Sequence, residues 1–185
     1  EQLARYSATV IKERLSYIDL LYEYSSSIYS GISENKESFS FFYSKKEYKN
    51  TEFSIKDIYL SELGKIKEAR KEDVISKSTT VGPHRDDLEI LINNVSARSF
   101  GSQGQQRSCA LALKLGESEI IKKITGETPV ALLDDVMSEL DDSRRDFLLH
   151  RLEDKQIFIT CCDPNQIFDV DRAFEVSEGK IVKVE

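Results

Sequence analysis

The stretch Val130-Ala131-Leu132-Leu133-Asp134-Asp135 decides the fold class of this chain. Its apolar run predicts a short buried strand over residues 129–134, and two carboxylates follow where that strand ends. A helical stretch over 143–153 and a second apolar strand over 156–160 come next. Two short strands separated by a helix are typical of a parallel sheet, in which ligands bind at the carboxyl ends of the strands. We therefore expect an α/β fold with flanking helices.

The two carboxylates suggest a role in nucleotide hydrolysis. In nucleotide hydrolases, a carboxylate at such a strand end holds Mg²⁺, directly or through water. The next acidic residue can orient or deprotonate the attacking water. We assign Asp134 to the metal and Asp135 to the water. Taken alone the pattern is weak, because a strand followed by an acidic turn looks the same.

The segment Ser102-Gln103-Gly104-Gln105 precedes a helical run that extends to about Ile124. Ser-x-x-Gln is a capping box, with Ser102 as the N-cap and Gln105 at the third helical position, and a plain capped helix has this pattern too. A glycine in the first turn leaves the backbone N–H groups accessible, and a helix start offers unpaired donors and a positive dipole end. Together these features predict a phosphate-binding site.

A third polar segment, Ser138-Glu139-Leu140-Asp141, follows the acidic strand end and leads into the next helix. Alone, it would be a helix cap with acids in the first turn. The order of the three segments is more specific than any one of them. A glycine-bearing helix start, an apolar strand ending in two acids and a Ser-x-Leu-Asp turn follow the order of the signature, Walker B and D-loop segments of ABC-type ATPases.

The chain resembles the RecF family of bacterial recombination mediators in four segments, residues 81–88, 100–107, 110–115 and 132–141. The resemblance implies the C-terminal part of an ABC-ATPase head similar to those of SMC proteins. It also implies binding of ATP and Mg²⁺ and a homodimer formed around the nucleotide. The implied partners are double-stranded DNA, RecO and RecR, with a role in loading RecA at gaps.

The same resemblance assigns roles to single residues. The residues expected to contact the γ-phosphate of ATP held by the partner subunit are Ser102, Gln103, Gly104 and Gln105. Asp134 would be the Walker B metal residue, and Asp135 would serve the attacking water. Many relatives have Glu at the second position, so the shorter Asp135 side chain would suit slow hydrolysis.

Ser138 and Asp141 would lie in the D-loop, at the dimer interface. Under this hypothesis, Asp134 and Asp135 serve the ATP of their own chain, whereas the Ser102 segment reaches the ATP of the other subunit. The chain then contributes to two composite sites and completes neither.

Two departures from the ABC pattern qualify these assignments. The phosphate loop Gly-x-x-x-x-Gly-Lys-Ser/Thr is absent, since Gly64-Lys65 and Gly179-Lys180 are each followed by isoleucine. We therefore expect ATP hydrolysis only in a full-length dimer, and we interpret a chain that begins at Glu1 as a fragment. The switch position after the strand at 156–160 is usually His, but here Thr160 is followed by Cys161-Cys162-Asp163.

Two zones are expected along the chain. Residues 1–78 would form a helical arm and lobe, with a long helix over 1–32, a strand over 38–43 that residues 52–54 could extend, and a helix over 55–76. Residues 79–185 would form the motif-bearing part and end in a hairpin. The first helix has the pattern both of a coiled-coil arm and of an ordinary packing helix.

Composition limits the partners and the location. The net charge of −7 argues against strong DNA binding by this chain alone. Its three cysteines suggest neither a disulfide framework nor a zinc site, and no apolar run approaches the roughly 20 residues that span a membrane, so we expect no membrane association and a cytoplasmic protein.

Two other functions stay open at this stage. The first is a non-catalytic protein-interaction lobe of an SMC-like or other ABC ATPase. The second is a transporter subunit, which would normally show Leu-Ser-Gly-Gly-Gln and a switch histidine. The cluster His84-Arg85-Asp86-Asp87 could order an interface or sense nucleotide, or it could be a local salt-bridged turn.

Overall fold

The computed structural model describes residues 1–45, 48, 53–163 and 170–184. These residues form two compact units, Glu1–Thr128 and Pro129–Glu185. The predicted zone boundary near residue 78 falls inside the first unit. The division into two zones by sequence motif stays a prediction, because compactness and motif content are different criteria.

The first unit is built on four helices: α1 (Gln2–Ile32), α2 (Ile55–Ser76), α3 (Ala97–Phe100) and α4 (Gln103–Thr125). Helix α1 packs against α4 and α2, and also against the first strand. Its buried apolar side chains recur along one stripe, as an amphipathic helix requires. Within the described chain, α1 therefore packs as an amphipathic helix against the rest of its unit, and its interpretation as an arm stays a prediction.

Helices α1 and α4 approach closely at Gly116. A Cβ at this position would lie 3.1 Å from the Cβ of Ser25 and 3.2 Å from its backbone nitrogen. Ser25 is fully buried, and its hydroxyl donates to the carbonyl of Leu21 within α1. The absence of a side chain at Gly116 thus sets the distance between the two helices.

A three-stranded antiparallel sheet completes this unit, in the order β1 (Phe39–Tyr43), β2 (Leu88–Ile92) and β3 (Val95–Ser96). Asn93 and Asn94 both have positive φ, which is the turn geometry expected between two adjacent strands. The predicted extension of the sheet by residues 52–54 is wrong for Phe53 and Ser54, which lie in no strand. Ser54 has no strand pairing and instead caps α2, while Glu52 lies outside the described residues.

The core of the first unit combines aliphatic and aromatic side chains. One cluster joins α1 to the chain after β1 and to α2, and it comprises Ala8, Ile11, Leu15, Tyr43, Tyr48 and Ile58. Further along α1, the ring of Tyr29 stacks on Phe39 with centroids 4.5 Å apart. These contacts fix β1 and the loop before it on the surface of α1.

Glu62 of α2 is fully buried within the same unit. Lys45 lies 3.0 Å from its carboxylate and Lys65 3.1 Å, and the hydroxyl of Tyr48 donates to it. Burial raises the pKa of Glu62, but the hydrogen bonds and charges of the two lysines outweigh it and leave the pKa lowered. The charge is thus paired inside the core, as a buried carboxylate requires.

The second unit contains a parallel strand pair, β4 (Ala131–Asp134) and β5 (Ile157–Thr160), joined through α5 (Asp142–Leu152). A hairpin follows, β6 (Phe174–Ser177) and β7 (Lys180–Val184). These elements confirm the predicted α/β arrangement.

The prediction that both parallel strands are buried is wrong. Leu132 is 75% exposed and Phe158 is 52% exposed. The two residues are paired in register, so their side chains point to the same face of the sheet, and that face is open in this chain. None of the helices in the described residues is long and apolar enough to cross a membrane.

Candidate functional site

The start of α4 has the geometry that the Ser102 segment predicts. Ser102 is the N-cap, and its hydroxyl accepts a hydrogen bond from the backbone N–H of Gln105 at 3.2 Å. In return, the side-chain oxygen of Gln105 accepts the backbone N–H of Ser102 at 2.8 Å. Gly104 occupies the second helical position, and Ser102 and Gln103 are exposed. The predicted capping box is confirmed.

Both glutamines after Gly104 hold the turn in place. The side-chain nitrogen of Gln105 donates to Glu37 Oε1 at 2.7 Å. The side-chain nitrogen of Gln106 lies 3.0 Å from the carbonyl of Ala97 and 3.2 Å from that of Gly101. The Gln105 side chain, which was expected to contact a phosphate, is therefore engaged within the chain, and its binding role stays a prediction.

Gly101 makes the junction between α3 and α4 possible. A Cβ on this residue would lie 2.4 Å from the carbonyl oxygen of Ala97, far closer than atoms can approach. The chain can therefore leave α3 and enter the N-cap of α4 within two residues. This brings the exposed N–H groups at the head of α4 to the surface, where an anion could approach them.

In the second unit, Asp134 and Asp135 follow β4 as predicted, and both are exposed. The hydroxyl of Thr160 donates to Asp134 Oδ1 at 2.5 Å and accepts the backbone N–H of Asp135 at 3.0 Å. Thr160 is the register partner of Asp134 on β5. A single hydroxyl thus connects both acidic residues at the carboxyl end of the sheet.

The backbone of Asp135 turns sharply out of the strand. Its φ of 52° lies in the left-handed region, which is uncommon for a residue with a side chain. The hydroxyl of Ser138 lies 3.0 Å from both the carbonyl oxygen and the Oδ1 of Asp135. The carboxylate is therefore directed toward the following turn, away from the strand axis.

Ser138 and Asp141 belong to the turn that leads into α5. Ser138 is exposed in a short 3₁₀ segment between the buried side chains of Met137 and Leu140. Asp141 is the N-cap of α5, and its Oδ1 accepts the backbone N–H of Arg144 at 3.0 Å. The two apolar side chains anchor the turn and leave both polar side chains at the surface. Their assignment to a D-loop interface stays a prediction.

The carboxylates at this strand end could supply some of the ligands of a metal ion but not all of them. Mg²⁺ is usually held by one or two carboxylates together with waters and substrate phosphates. Asp134 and Asp135 offer such oxygens. Among the residues that the structure describes, no group of three or more metal-ligating side chains comes together. The residues present therefore fit a partial Mg²⁺ site that phosphate oxygens would complete.

The loop after β5 carries the departure from the switch histidine. Cys161 is half-buried and Cys162 is exposed. Burial, and then the nearby Cys162, Asp163 and Asp135, raise the pKa of the Cys161 thiol. A thiol with a raised pKa stays neutral and cannot replace the charged contact of a histidine.

The His84-Arg85-Asp86-Asp87 cluster is tied into the first unit on every side. Arg85 donates to the hydroxyl of Ser78 at 3.0 Å. The largely buried Asp86 accepts the hydroxyl of Tyr43 and lies 3.2 Å from Lys45. Asp87 and Arg98 form an exposed ion pair at 2.7 Å. These contacts hold the cluster within the first unit, with several partners distant in sequence, and a role at an interface or in sensing nucleotide stays a prediction.

Sequence analysis missed two residues that shape these segments. The first is Thr160, for which the motifs predict no role, although a polar residue ending the second parallel strand signals proximity to the acids of the first. Glu37 lies in a short polar stretch after a helix, and its partner Gln105 is 68 positions away. No local pattern signals a contact of that kind.

No model of a protein family matches the chain. The protein named "DNA replication and repair protein RecF" from Clostridium botulinum (strain Okra / Type B1) is 42% identical over 191 residues, a match that covers 100% of this chain and 50% of the relative. The protein of the same name from Clostridium perfringens (strain SM101 / Type A) is 41% identical over 184 residues, covering 97% and 50%. The chain thus spans about half the length of the curated relatives it matches.

Two solved structures are similar as well. One is described as "Structure of the recombination mediator protein RecF-ATPrS in RecFOR pathway", with a TM-score of 0.79 and 38% identity over 97% of this chain and 47% of that chain. The other is the corresponding RecF-ATP structure, with a TM-score of 0.72 and 40% identity over 86% and 43%.

The parallel strands, the flanking helices and the order of the motifs define the C-terminal part of an ABC-ATPase head. Sequence identity along the whole chain and the structural match both relate it to RecF proteins within that class. The chain belongs to the RecF family and corresponds to the C-terminal half of RecF.

Proposed function

We propose that this chain contributes parts of two ATP sites to a RecF-type homodimer that acts in DNA repair and recombination. In this proposal, Asp134 and Asp135 face the nucleotide of their own polypeptide. The segment of residues 102–105, here called the signature segment, faces the nucleotide of the partner subunit. Hydrolysis then requires a full-length dimer, and this chain alone completes neither site.

The observation that carries the proposal is the exposed, capped start of α4. Ser102 and Gln103 are exposed, and the capping box holds the first turn in one conformation. Helix-start N–H groups and the positive end of the helix dipole favour a phosphate. Donors that are already fixed need little reorganisation when charge develops on a phosphoryl group.

At the other segment, bound Mg²⁺ would neutralise charge on the phosphates. In this proposal Asp134 contributes a carboxylate to that ion, and the hydroxyl of Thr160 supports it with a hydrogen bond. Asp135 orients a water and accepts its proton. Its shorter side chain, where relatives often have Glu, favours slow hydrolysis and a dimer that acts as a switch.

The partners follow from the family rather than from the contacts of this chain. We infer that the full-length protein binds double-stranded DNA and acts with RecO and RecR to load RecA at gaps in DNA. We also infer that it is cytoplasmic. The two related structures are described as RecF of the RecFOR pathway, in ATP and ATPrS forms. The net charge of −7 suggests that DNA contacts need other parts of the protein or a local basic surface.

Ser102→Arg in a full-length protein carrying this segment tests the arrangement. A long cation at the N-cap obstructs the approach of the partner's phosphates, so ATP-driven dimerisation should be lost. ATP binding to the single subunit should be unchanged. Dimerisation is measured by sedimentation with and without ATP, and binding by titration of a fluorescent ATP analogue. Dimerisation equal to that of the wild-type protein would remove the role in trans.

A non-catalytic interaction lobe is the second candidate. It is favoured by the lack of a phosphate-loop sequence, since Gly64-Lys65 lies within α2 and Gly179-Lys180 lies at the turn of the hairpin. The Ser102→Arg comparison distinguishes the candidates, because an interaction lobe with no role at the nucleotide would leave ATP-driven dimerisation unchanged. Titrating labelled ATP into these 185 residues tests what both candidates assume. Micromolar binding by the chain alone would contradict the view that its nucleotide pocket is incomplete.

A further inference from the structure

A carboxylate outside the signature segment contacts it directly. Glu37 lies in the loop between α1 and β1 and is half-buried. Its Oε1 accepts the side-chain N–H of Gln105 at 2.7 Å, and its Oε2 accepts the hydroxyl of Tyr29 at 2.6 Å. Both oxygens of this carboxylate are thus used as acceptors.

Glu37 determines which way the Gln105 amide points. The amide oxygen must face Ser102, because it accepts the Ser102 backbone N–H at 2.8 Å. A side-chain amide can rotate by half a turn and exchange its oxygen and nitrogen, which would place a donor against that N–H. An ionised carboxylate can only accept. Glu37 therefore favours the one orientation that completes the capping box.

The position of Glu37 is itself fixed. Tyr29 is fully buried, and its ring is nearly parallel to that of Phe39, at 12°. The next residue, Ser38, donates its backbone N–H to Asn93 Oδ1 at 2.8 Å and accepts the Asn93 N–H at 2.9 Å. The carboxylate is thus supported by α1 on one side and by the turn between β2 and β3 on the other.

We propose that Glu37, oriented by Tyr29, is a positioning residue for the signature segment. It holds the Gln105 amide so that Ser102 and the first turn of α4 present their donors in a single geometry to the partner's nucleotide. The proposal rests on the function in trans proposed above. It concerns the geometry of the segment, because Glu37 itself would not contact the nucleotide.

The test uses Glu37→Ala and Glu37→Gln in a full-length protein. Glu37→Ala removes the acceptor, so the ATP concentration for half-maximal dimerisation should rise about tenfold, as expected for the loss of a charge-assisted hydrogen bond. Single-subunit ATP binding should stay within about twofold of the wild-type value. Glu37→Gln can still offer an oxygen to Gln105 and donate to the Tyr29 hydroxyl, so it should restore most of the loss.

Two further variants separate positioning from general damage. Tyr29→Phe keeps the buried ring and removes only the hydroxyl, so it should fold and raise the half-maximal ATP concentration about threefold. Glu13→Ala removes a charge from the exposed face of α1 and should have no effect. If Glu37→Ala does not fold, Tyr29→Phe and Glu37→Gln still carry the test.

The outcomes also distinguish this proposal from the one on which it rests. If Ser102→Arg blocks dimerisation while Glu37→Ala and Tyr29→Phe behave as the wild-type protein does, the positioning role is overturned and the function in trans stands. If Glu37→Ala weakens ATP binding and dimerisation equally, and Glu37→Gln does not rescue, the role of Glu37 is merely structural. If Ser102→Arg dimerises normally, the function in trans fails first.

Discussion

The head of α4 and the end of β4 are two polar segments of one chain, but their surroundings differ. Around the signature segment, Glu37, Ala97 and Gly101 all contribute hydrogen bonds from outside α4. At the strand end, Asp134 and Asp135 are exposed, and their contacts come from Thr160 and Ser138. The sheet beneath them has two strands and one open face.

The difference indicates where each segment obtains its geometry. Donors that must meet a nucleotide on another subunit gain from being fixed before that subunit arrives, because ordering them later would reduce affinity. Carboxylates that hold a metal can be oriented by the metal and the phosphates themselves. We therefore expect substitutions around the signature segment to affect dimerisation, and those around the strand end to affect turnover.

The largest effect is expected from Asp135→Asn in a full-length protein. Asparagine keeps the size of the side chain but cannot accept a proton, so turnover should fall about 100-fold or more and the ATP-bound dimer should last longer. Single-turnover phosphate release and dimer lifetime are the measurements. Asp154→Asn, an exposed residue after α5, is the matched control. Turnover at the wild-type rate would reject Asp135 as the water-orienting residue.

Gly116→Val should give the next largest effect, a loss of stability. It tests whether α4, which begins with the signature segment, depends on its close packing against α1. A branched side chain there meets Ser25 of α1, and such overpacking costs about 1–3 kcal/mol of stability. Gly64→Val is the matched control, because a Cβ at Gly64 has no atom within 4 Å and the change of helix propensity is the same. Equal urea midpoints for the two variants would show that the close approach is not required.

Thr160→Val tests the strand end with a smaller change. Valine keeps the shape but removes the hydroxyl that joins Asp134 to the backbone of Asp135. We expect turnover to fall about tenfold, with dimerisation unchanged, because one hydrogen bond to a charged group is lost. Thr160→Ser retains the hydroxyl and should restore turnover. A dimerisation defect in Thr160→Val would break the division of roles between the two segments.

Local patterns predicted the secondary structure well, because their causes are local. The capping box at Ser102 and the turn at Asn93-Asn94 follow from side chains and backbone within a few residues. The burial of β4 was predicted wrongly because an apolar strand in a parallel sheet normally has layers on both faces, whereas Leu132 is open in this chain. Burial depends on what packs from elsewhere, which an apolar run alone does not contain.

For the candidate site, too, the local geometry could be predicted from the sequence, whereas contacts between distant residues mostly could not. Ser102, Gly104, Asp134 and Asp135 stand at the head of a helix and the end of a strand, as their spacing predicts. Two of the contacts that orient them come from residues distant in sequence, Glu37 and Thr160. Of these, only Thr160 had a signal, because it ends the second parallel strand.

The chain contains two capping boxes, which allow the signature segment to be compared with a plain cap. Ser54 caps α2 as Ser102 caps α4, and each hydroxyl accepts the N–H three residues later at 3.2 Å. Ser54→Ala and Ser102→Ala should each cost about 1 kcal/mol of stability. Only Ser102→Ala should weaken ATP-driven dimerisation. Equal effects of both variants on dimerisation would reduce the signature segment to a capped helix.

The smallest expected effect is a difference in pH dependence: in acid, the two caps should differ in how much stability their removal costs. The third helical position is Asp57 in the first box and Gln105 in the second. Hydrogen bonds from the side chain and backbone of Ser54 lower the pKa of Asp57 below its ordinary value of 3.8. A carboxyl with a lowered pKa stabilises the fold above its unfolded pKa, and this is lost as pH falls through the folded value.

The stability cost of Ser54→Ala should therefore shrink between neutral pH and a pH below the lowered pKa of Asp57, because a protonated Asp57 no longer completes its box. The cost of Ser102→Ala should stay constant, since Gln105 does not titrate. Urea unfolding of both variants and of the wild-type protein at the two pH values gives the comparison. A parallel decrease for both variants would mean that acid weakens the helices in general and that the two caps are equivalent.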